Sequence, residues 1–240
     1  MKKVSLVVFD MAGTTVKDEK EVENCFAQAC VLSGLEVSQE RILALQGYAK
    51  KEVFTLLWSE VIKNNPDDLI RKIDQSYDLF CKILEGHYEN HAIFPTDYCL
   101  ETFEWLRSKE IKIALTTGFY RKVANVILEK IGWLKGLNSE YYNASGKSIV
   151  DFSITPTEAL LGRPNPEMIF LSMKKLGILD SKNVINIGDT PVDLKSGFNA
   201  NVLLSLGITN GTHSKEQLAF EKNDGLLSNL SELKELINTL

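Results

Sequence analysis

Four short apolar runs break up an otherwise mixed chain: VSLVVF at residues 4–9, IKIAL at 111–115, VINIG at 184–188 and NVLLSLG at 201–207. They are short, rich in β-branched residues and bounded by turn formers, which predicts strands buried on both faces. Between them the period changes. YRKVANVILEKIG at 120–132 and PEMIFLSMKKLG at 166–177 repeat apolar residues at helical spacing, and each closes on the glycine that commonly follows a helix C-terminus. Strand and helix in alternation predict an α/β fold with a doubly wound parallel sheet.

Residues 17–92 break that rhythm. The stretches EVENCFAQACVLSGLEV, SQERILALQG, KKEVFTLLWSEVIKNN and DDLIRKIDQSYDLFCKILEGHYENH carry helical periodicity and no strand pattern. A helical block inserted directly after the first strand predicts a cap domain at 17–92, lying over the strand ends of a core built from 1–16 and 93–240.

Composition narrows the possibilities. A chain of 240 residues with 44% hydrophobic content can bury a core of this design. No segment approaches the roughly 20 apolar residues of a membrane helix. The N-terminal MKKVSLVVFD has too short an apolar run for a secretory leader, so a cytoplasmic protein is expected. Cys25, Cys30, Cys81 and Cys99 form no CxxC pair and are read as reduced, packed thiols. With a net charge of -5 and lysines scattered among acids, there is no basic stripe for nucleic acid. A small anionic ligand must therefore be attracted locally.

In an open parallel sheet, ligands collect at the carboxyl ends of the strands. Asp10 ends the first apolar run, Thr116, Thr117 and Gly118 follow the second, and Asp189 and Asp193 follow the third in GDTPVD. GRPNPEM places Arg163 ahead of a helix that opens on proline. Together these are parts for phosphoryl transfer. A carboxylate nucleophile at Asp10 would form an aspartyl phosphate. Asp10, Asp189 and Asp193 offer hard oxygen ligands for Mg²⁺. Arg163, the Thr117 hydroxyl and the backbone N–H groups after Asp10 and Thr117 would hold phosphoryl oxygens.

In this order, DMAGTT, TTG, GRP and GDTPVD resemble the four motifs of the haloacid dehalogenase superfamily of aspartate-nucleophile phosphotransferases, along essentially the whole chain. The nearest likeness is to its phosphonatase-like branch, on two features: Ala12 in place of a second aspartate, and Arg163 in place of lysine. The resemblance implies a Rossmann-like core with a helical cap, and a Mg²⁺-dependent hydrolase acting on a small phosphonate or phosphate metabolite, as a monomer or homodimer. It implies Asp10 as nucleophile and metal ligand, the Ala12 carbonyl as a further ligand, and Asp189 and Asp193 holding the metal directly or through water. Met11, Thr117, Gly118 and Arg163 would contact the substrate. A metal-free dehalogenase fits poorly with the GDTPVD carboxylate pair.

Ala12 can neither protonate a leaving group nor activate water, the two tasks of the absent aspartate. In the phosphonatase branch a cap lysine forms a Schiff base with the substrate aldehyde, so that carbon leaves as an enamine. QGYAKKEVF places Lys50 three residues after Gly47, as in that branch. Lys51 beside it and a helix start are expected to favour a neutral amine. The loop departs from the branch at Gln46, Val53 and Phe119, where methionine, histidine and tyrosine are usual. A phosphomonoesterase of the phosphoglycolate or sugar-phosphate type, and a non-catalytic phosphate-binding module, remain alternatives. Tyr48 and Lys51 are further cap donors. His87 and His91, spaced for one helix face, are read as cap or hinge surface, and His213 as a candidate substitute acid.

Overall fold

A computed structural model describes residues 4–240; the first three residues of the stretch read above for a leader lie outside the described residues. The central strand β1 (Leu6–Phe9) pairs in parallel with β2 (Lys112–Thr116) on one side and β4 (Val184–Gly188) on the other. Two further strands extend the β4 side, β5 (Leu204–Ile208) and β6 (Leu226–Leu227), and β3 (Phe152–Ile154) closes the β2 side. The six-stranded order is β3-β2-β1-β4-β5-β6, parallel throughout. This is a Rossmann-like, doubly wound sheet.

The packing explains why the apolar runs are continuous. Every residue of β1 is fully buried. Val7 and Phe9 join one apolar cluster, whereas Leu6 and Val8 join another, so the strand's two faces feed different helical layers. Those layers are α5 (Cys99–Ser108), α6 (Arg121–Lys130), α7 (Glu167–Leu176), α8 (Pro191–Asn199), α9 (Lys215–Ala219) and α10 (Glu232–Asn238). The two predicted helices thus form within a residue or two of their sequence limits.

The stretch between β1 and α5 holds α1 (Glu21–Ser33), α2 (Gln39–Ala44), α3 (Lys50–Val61) and α4 (Pro66–Asn90), and no named strand. Phe26, Phe54 and Phe80 lock α1, α3 and α4 together, with ring centroids 5.0 to 6.3 Å apart. The buried Trp58 indole donates to Ser76 Oγ at 2.8 Å, so its polar edge is satisfied between α3 and α4.

Strand order reverses at β1, which places a crevice at the carboxyl ends of β1, β2 and β4. Two strands escape the sequence pattern. β3 and β6 are three and two residues long and occupy the sheet edges, too short to show a period.

Candidate active site

Asp10 leaves β1 directly into the crevice, with its backbone N–H donating to Ile187 O at 2.9 Å. The turn that follows is wound tightly: Thr14, Thr15 and Val16 N–H groups all donate to Met11 O, and Thr15 Oγ1 donates to Asp10 O at 2.9 Å. Gly13 is required here. Its φ is +80°, and an added Cβ would lie 2.2 Å from Asp189 Oδ2. The absent side chain is what allows the turn after β1 to approach the aspartate after β4.

Asp193 is set by the start of α8. Its Oδ2 accepts from Thr190 N at 3.1 Å and from Thr190 Oγ1 at 2.6 Å, a capping box that fixes the carboxyl while satisfying the helix terminus. Its Oδ1 lies 2.7 Å from Arg163 Nη1, which also donates to Asp10 Oδ1 at 2.6 Å. Arg163 Nη2 donates to Thr116 Oγ1 at 2.6 Å. Asp189 is fully buried; its Oδ2 accepts from Thr212 N at 2.6 Å and its Oδ1 from Thr14 Oγ1 at 3.4 Å.

Carboxylate oxygens of Asp10, Asp189 and Asp193 lie within 4.8 Å of one another. Three buried acids face one guanidinium, and the electrostatics record the excess. Burial holds the Asp10 carboxyl well above the usual carboxylate range against the opposing pull of Arg163, with Asp193 and Asp189 adding to the rise. Burial and Asp193 push Asp189 up to about 6. An all-oxygen, net negative cluster of this kind fits a hard divalent cation.

A cavity of about 570 Å³ opens from this cluster toward α1, α3 and α4. Asp10, Ala12, Thr117, Gly118, Arg163, Asp189 and Lys50 line it, so the structure brings together most of the sequence-derived set. Met11 is different: its side chain is fully buried in the apolar core and outside the lining, leaving only main-chain atoms for a ligand. Thr117 Oγ1 accepts from Phe119 N at 3.1 Å, which orients the hydroxyl at the strand end.

Lys50 is the first residue of α3 and only 7% exposed. Its Nζ donates to Leu45 O at 3.2 Å and to Gln46 Oε1 at 3.3 Å, and sits 5.4 Å from the Phe26 ring centroid. Burial pushes the amine down to about 8, opposed by the Asp18 carboxyl. The expected contribution of Lys51 is absent from that balance; Lys51 also lines the cavity, and its amine pairs with Asp74 at 3.0 Å. Val53 is core, and Phe119 stacks edge-on against Tyr88 at 5.6 Å.

The loop carrying Gln46 and Lys50 is pressed onto the sheet's crevice. Gly47 has φ +81°, and a Cβ there would meet Val192 Cγ2 at 2.3 Å and Thr190 Oγ1 at 2.5 Å. The imidazoles of His87 and His91 stack at 4.2 Å on the rim of α4, consistent with a surface role. His213 is buried next to Asp189's strand end, and burial pushes its imidazole down. Sequence reasoning missed Asp18, Tyr77, Tyr120 and Thr212, all on the cavity wall. For Asp18 a signal existed: it lies three residues before Glu21, whose backbone N–H it accepts at 2.8 Å at the start of α1.

Known proteins resemble this chain in sequence and in fold. A family model described as haloacid dehalogenase-like hydrolase matches residues 4–201. The chain is 31% identical over 229 residues to phosphonoacetaldehyde hydrolase of Parabacteroides distasonis, covering 89% of this chain and 79% of that protein. It is 30% identical over 211 residues to the bifunctional phosphonoacetaldehyde hydrolase/aminoethylphosphonate transaminase of Clostridioides difficile, covering 83% of this chain and 30% of that protein's length. The crystal structure of a phosphonoacetaldehyde hydrolase like protein from Oleispira antarctica superimposes with a TM-score of 0.75 at 16% identity, over 98% of this chain and 92% of that one. With the family model matching residues 4–201 of the 240, the chain belongs to the haloacid dehalogenase-like hydrolases.

Proposed function

We propose that this hydrolase is phosphonatase-like, releasing phosphate from a small phosphonate through an aspartyl phosphate on Asp10. The observation that carries the reading is the buried Lys50 amine on the same cavity as Asp10, with Ala12 where a second acid would stand. Asp10 attacks phosphorus, and Arg163 turns from the carboxylates to the phosphoryl oxygens, with Thr117 and the Gly118 backbone completing the cradle. Lys50, with its pKa lowered to about 8, supplies enough neutral amine near neutral pH to form an imine with an aldehyde. The resulting iminium accepts the electron pair of the breaking carbon–phosphorus bond. Asp10, the Ala12 carbonyl, Asp189 and Asp193 would hold Mg²⁺, which when bound neutralises charge between nucleophile and phosphoryl group. Helices α1–α4 act as a cap at 17–92 over a core of 1–16 and 93–240, and the cavity lies where they meet.

One observation favours a second reading. Lys50 Nζ is already held by two oxygen acceptors, Leu45 O and Gln46 Oε1, an arrangement that suits an ammonium binding the anionic tail of a phosphomonoester. A phosphate-release screen with Mg²⁺ across phosphonates and phosphomonoesters separates the two, together with borohydride trapping in the presence of phosphonoacetaldehyde. The phosphonatase reading expects irreversible inactivation with the adduct on Lys50. Preference for phosphomonoesters with no adduct overturns it.

A further inference from the structure

Ala12 leaves the reaction without a proton carrier, yet the cavity wall holds an acid that neither motif nor spacing assigned. Asp18 lines the cavity together with Asp10, Ala12, Lys50 and Asp189. It is not a lone carboxylate. Its Oδ1 accepts the Glu21 backbone N–H at 2.8 Å at the start of α1, and the charge of the Glu21 carboxyl reaches it. Glu21 is fixed in turn by the Glu19 backbone N–H, which donates to its Oε2.

Two neighbouring carboxyl groups repel when both are ionised, which favours a proton on one of them. The Glu19 backbone N–H on Glu21 Oε2 favours the ionised form of that carboxyl, whose pKa is lowered even against burial. Asp18 is the member that keeps the proton: burial first, then Glu21, raise it to about 8. Glu21 and Cys25 on α1, Lys50 on α3, Tyr88 on α4 and Asp189 after β4 all lie within electrostatic reach of Asp18. Glu21 is itself within electrostatic reach of His87 on α4, which stacks on the exposed His91. Asp18 therefore shares one cavity with the phosphoryl site and the amine.

We propose that Asp18 is the general acid–base catalyst of this site, with Glu21 as the residue that positions it and keeps it protonated. This rests on the aspartyl-phosphate reading above. In the first half-reaction Asp10 Oδ forms its bond to phosphorus as the bond to the leaving group breaks; the electron pair goes to the leaving atom, which takes the Asp18 proton. For a phosphate ester that atom is the alkoxide oxygen. For an imine-linked phosphonate the pair passes instead to the iminium nitrogen, giving an enamine; its carbon then takes the Asp18 proton, and water hydrolyses the resulting iminium to the free Lys50 amine and the aldehyde. In the second half-reaction the Asp18 carboxylate takes a proton from the water attacking the phosphorus of the aspartyl phosphate. Inorganic phosphate leaves, Asp10 regains its carboxylate, and Asp18 is a neutral acid again.

The test uses Asp18→Asn, which preserves an Oδ1 acceptor for the α1 terminus, and Mg²⁺-saturated full-length protein. The first readout is independent of turnover: at neutral pH the infrared carbonyl band of a protonated carboxylic acid is expected in the parent and lost in the variant. The second uses p-nitrophenyl phosphate, whose leaving group needs no proton. Phosphorylation of Asp10 should proceed in both proteins, but the variant should give a stoichiometric burst of p-nitrophenol and accumulate acid-stable, hydroxylamine-labile phosphoenzyme. Its steady rate should fall on the order of 10²-fold, the ordinary worth of a general base. Glu21→Gln should retain turnover while moving the alkaline limb of kcat to lower pH, which a merely structural role for Glu21 would not do. An unchanged carbonyl band, or dephosphorylation at the parental rate in Asp18→Asn, overturns the assignment while leaving the aspartyl-phosphate reading intact. If the parent forms no phosphoenzyme while its carbonyl band still requires Asp18, the aspartyl-phosphate reading falls and takes the catalytic role of Asp18 with it.

Discussion

At the scale of single residues, Asp10 and Lys50 are held against their own ionic preferences. The Asp10 carboxyl is buried among two other acids and compensated by one guanidinium. On the proposed reading, Asp10→Asn keeps the shape and removes both the nucleophilic oxygen and a charged metal ligand. Turnover is expected to fall by ~10³-fold or more, with the circular dichroism spectrum unchanged; retained turnover would refute covalent catalysis at this residue. Lys50 illustrates the opposite cost. Its displacement from 10.5 to about 8 corresponds to roughly 3 kcal/mol of folded-state penalty while the amine is charged in both states. Lys50→Met removes that penalty but also two hydrogen bonds, each worth about 1 kcal/mol. Below pH 8 the variant should be more stable than the parent by about 1–3 kcal/mol in urea denaturation. Because the depressed lysine regains its stability as pH rises from about 8 to 10.5, the difference should shrink across that window. A destabilised Lys50→Met at pH 7 would mean that the amine is held by contacts stronger than its desolvation.

At the scale of elements, the loop from Leu45 to Lys50 matters most, because it carries the amine and touches the start of α8. Gly47→Ala would need a left-handed backbone at a residue with a Cβ, costing about 1–2 kcal/mol, and would drive that Cβ into Val192 and Thr190. The expected relief is a lifted loop, seen as a lower melting temperature and a loss of about 10²-fold in kcat/KM from misplaced Lys50. A variant with parental kinetics would show that the close approach is not needed for turnover. This loop also marks the limit of what the sequence could tell. The glycine–lysine spacing was legible, and so were the four longer strands, since burial on both faces leaves an unbroken apolar run. The reason for the lowered amine was not: Lys51 looks like a repelling neighbour in sequence, yet its charge is paired with Asp74, and burial lowers the Lys50 amine instead. Edge strands β3 and β6 were hidden by their length. The place of Asp18 was hidden because it depends on a cavity wall assembled from segments far apart in the chain.

At the scale of the whole molecule, the catalytic cluster is a place where folding and function oppose each other. Asp189 is pushed up to about 6 by burial and by Asp193, whereas in the unfolded chain it would titrate near 3.9. A carboxyl with a raised folded pKa stabilises the fold below its unfolded pKa, and that contribution is lost as pH rises through the folded value. In metal-free protein this group therefore lowers stability between about pH 4 and 6, by an order of roughly 3 kcal/mol at its full extent. A divalent cation bound to the ionised cluster acts in the opposite sense, binding the folded state alone. With Mg²⁺ at about 100 times its dissociation constant the fold gains about 2.7 kcal/mol, which for a chain of this size raises the melting temperature by roughly 5–10 °C. The gain should be largest at pH 7 and small at pH 5, where protons compete with the metal for Asp189. Asp189→Asn should abolish most of it, while also making the metal-free protein less sensitive to pH between 4 and 6. Differential scanning calorimetry with and without chelator at the two pH values measures all of this, and an equal or larger Mg²⁺ increment at pH 5 would show that the cluster does not bind the metal through its ionised carboxylates.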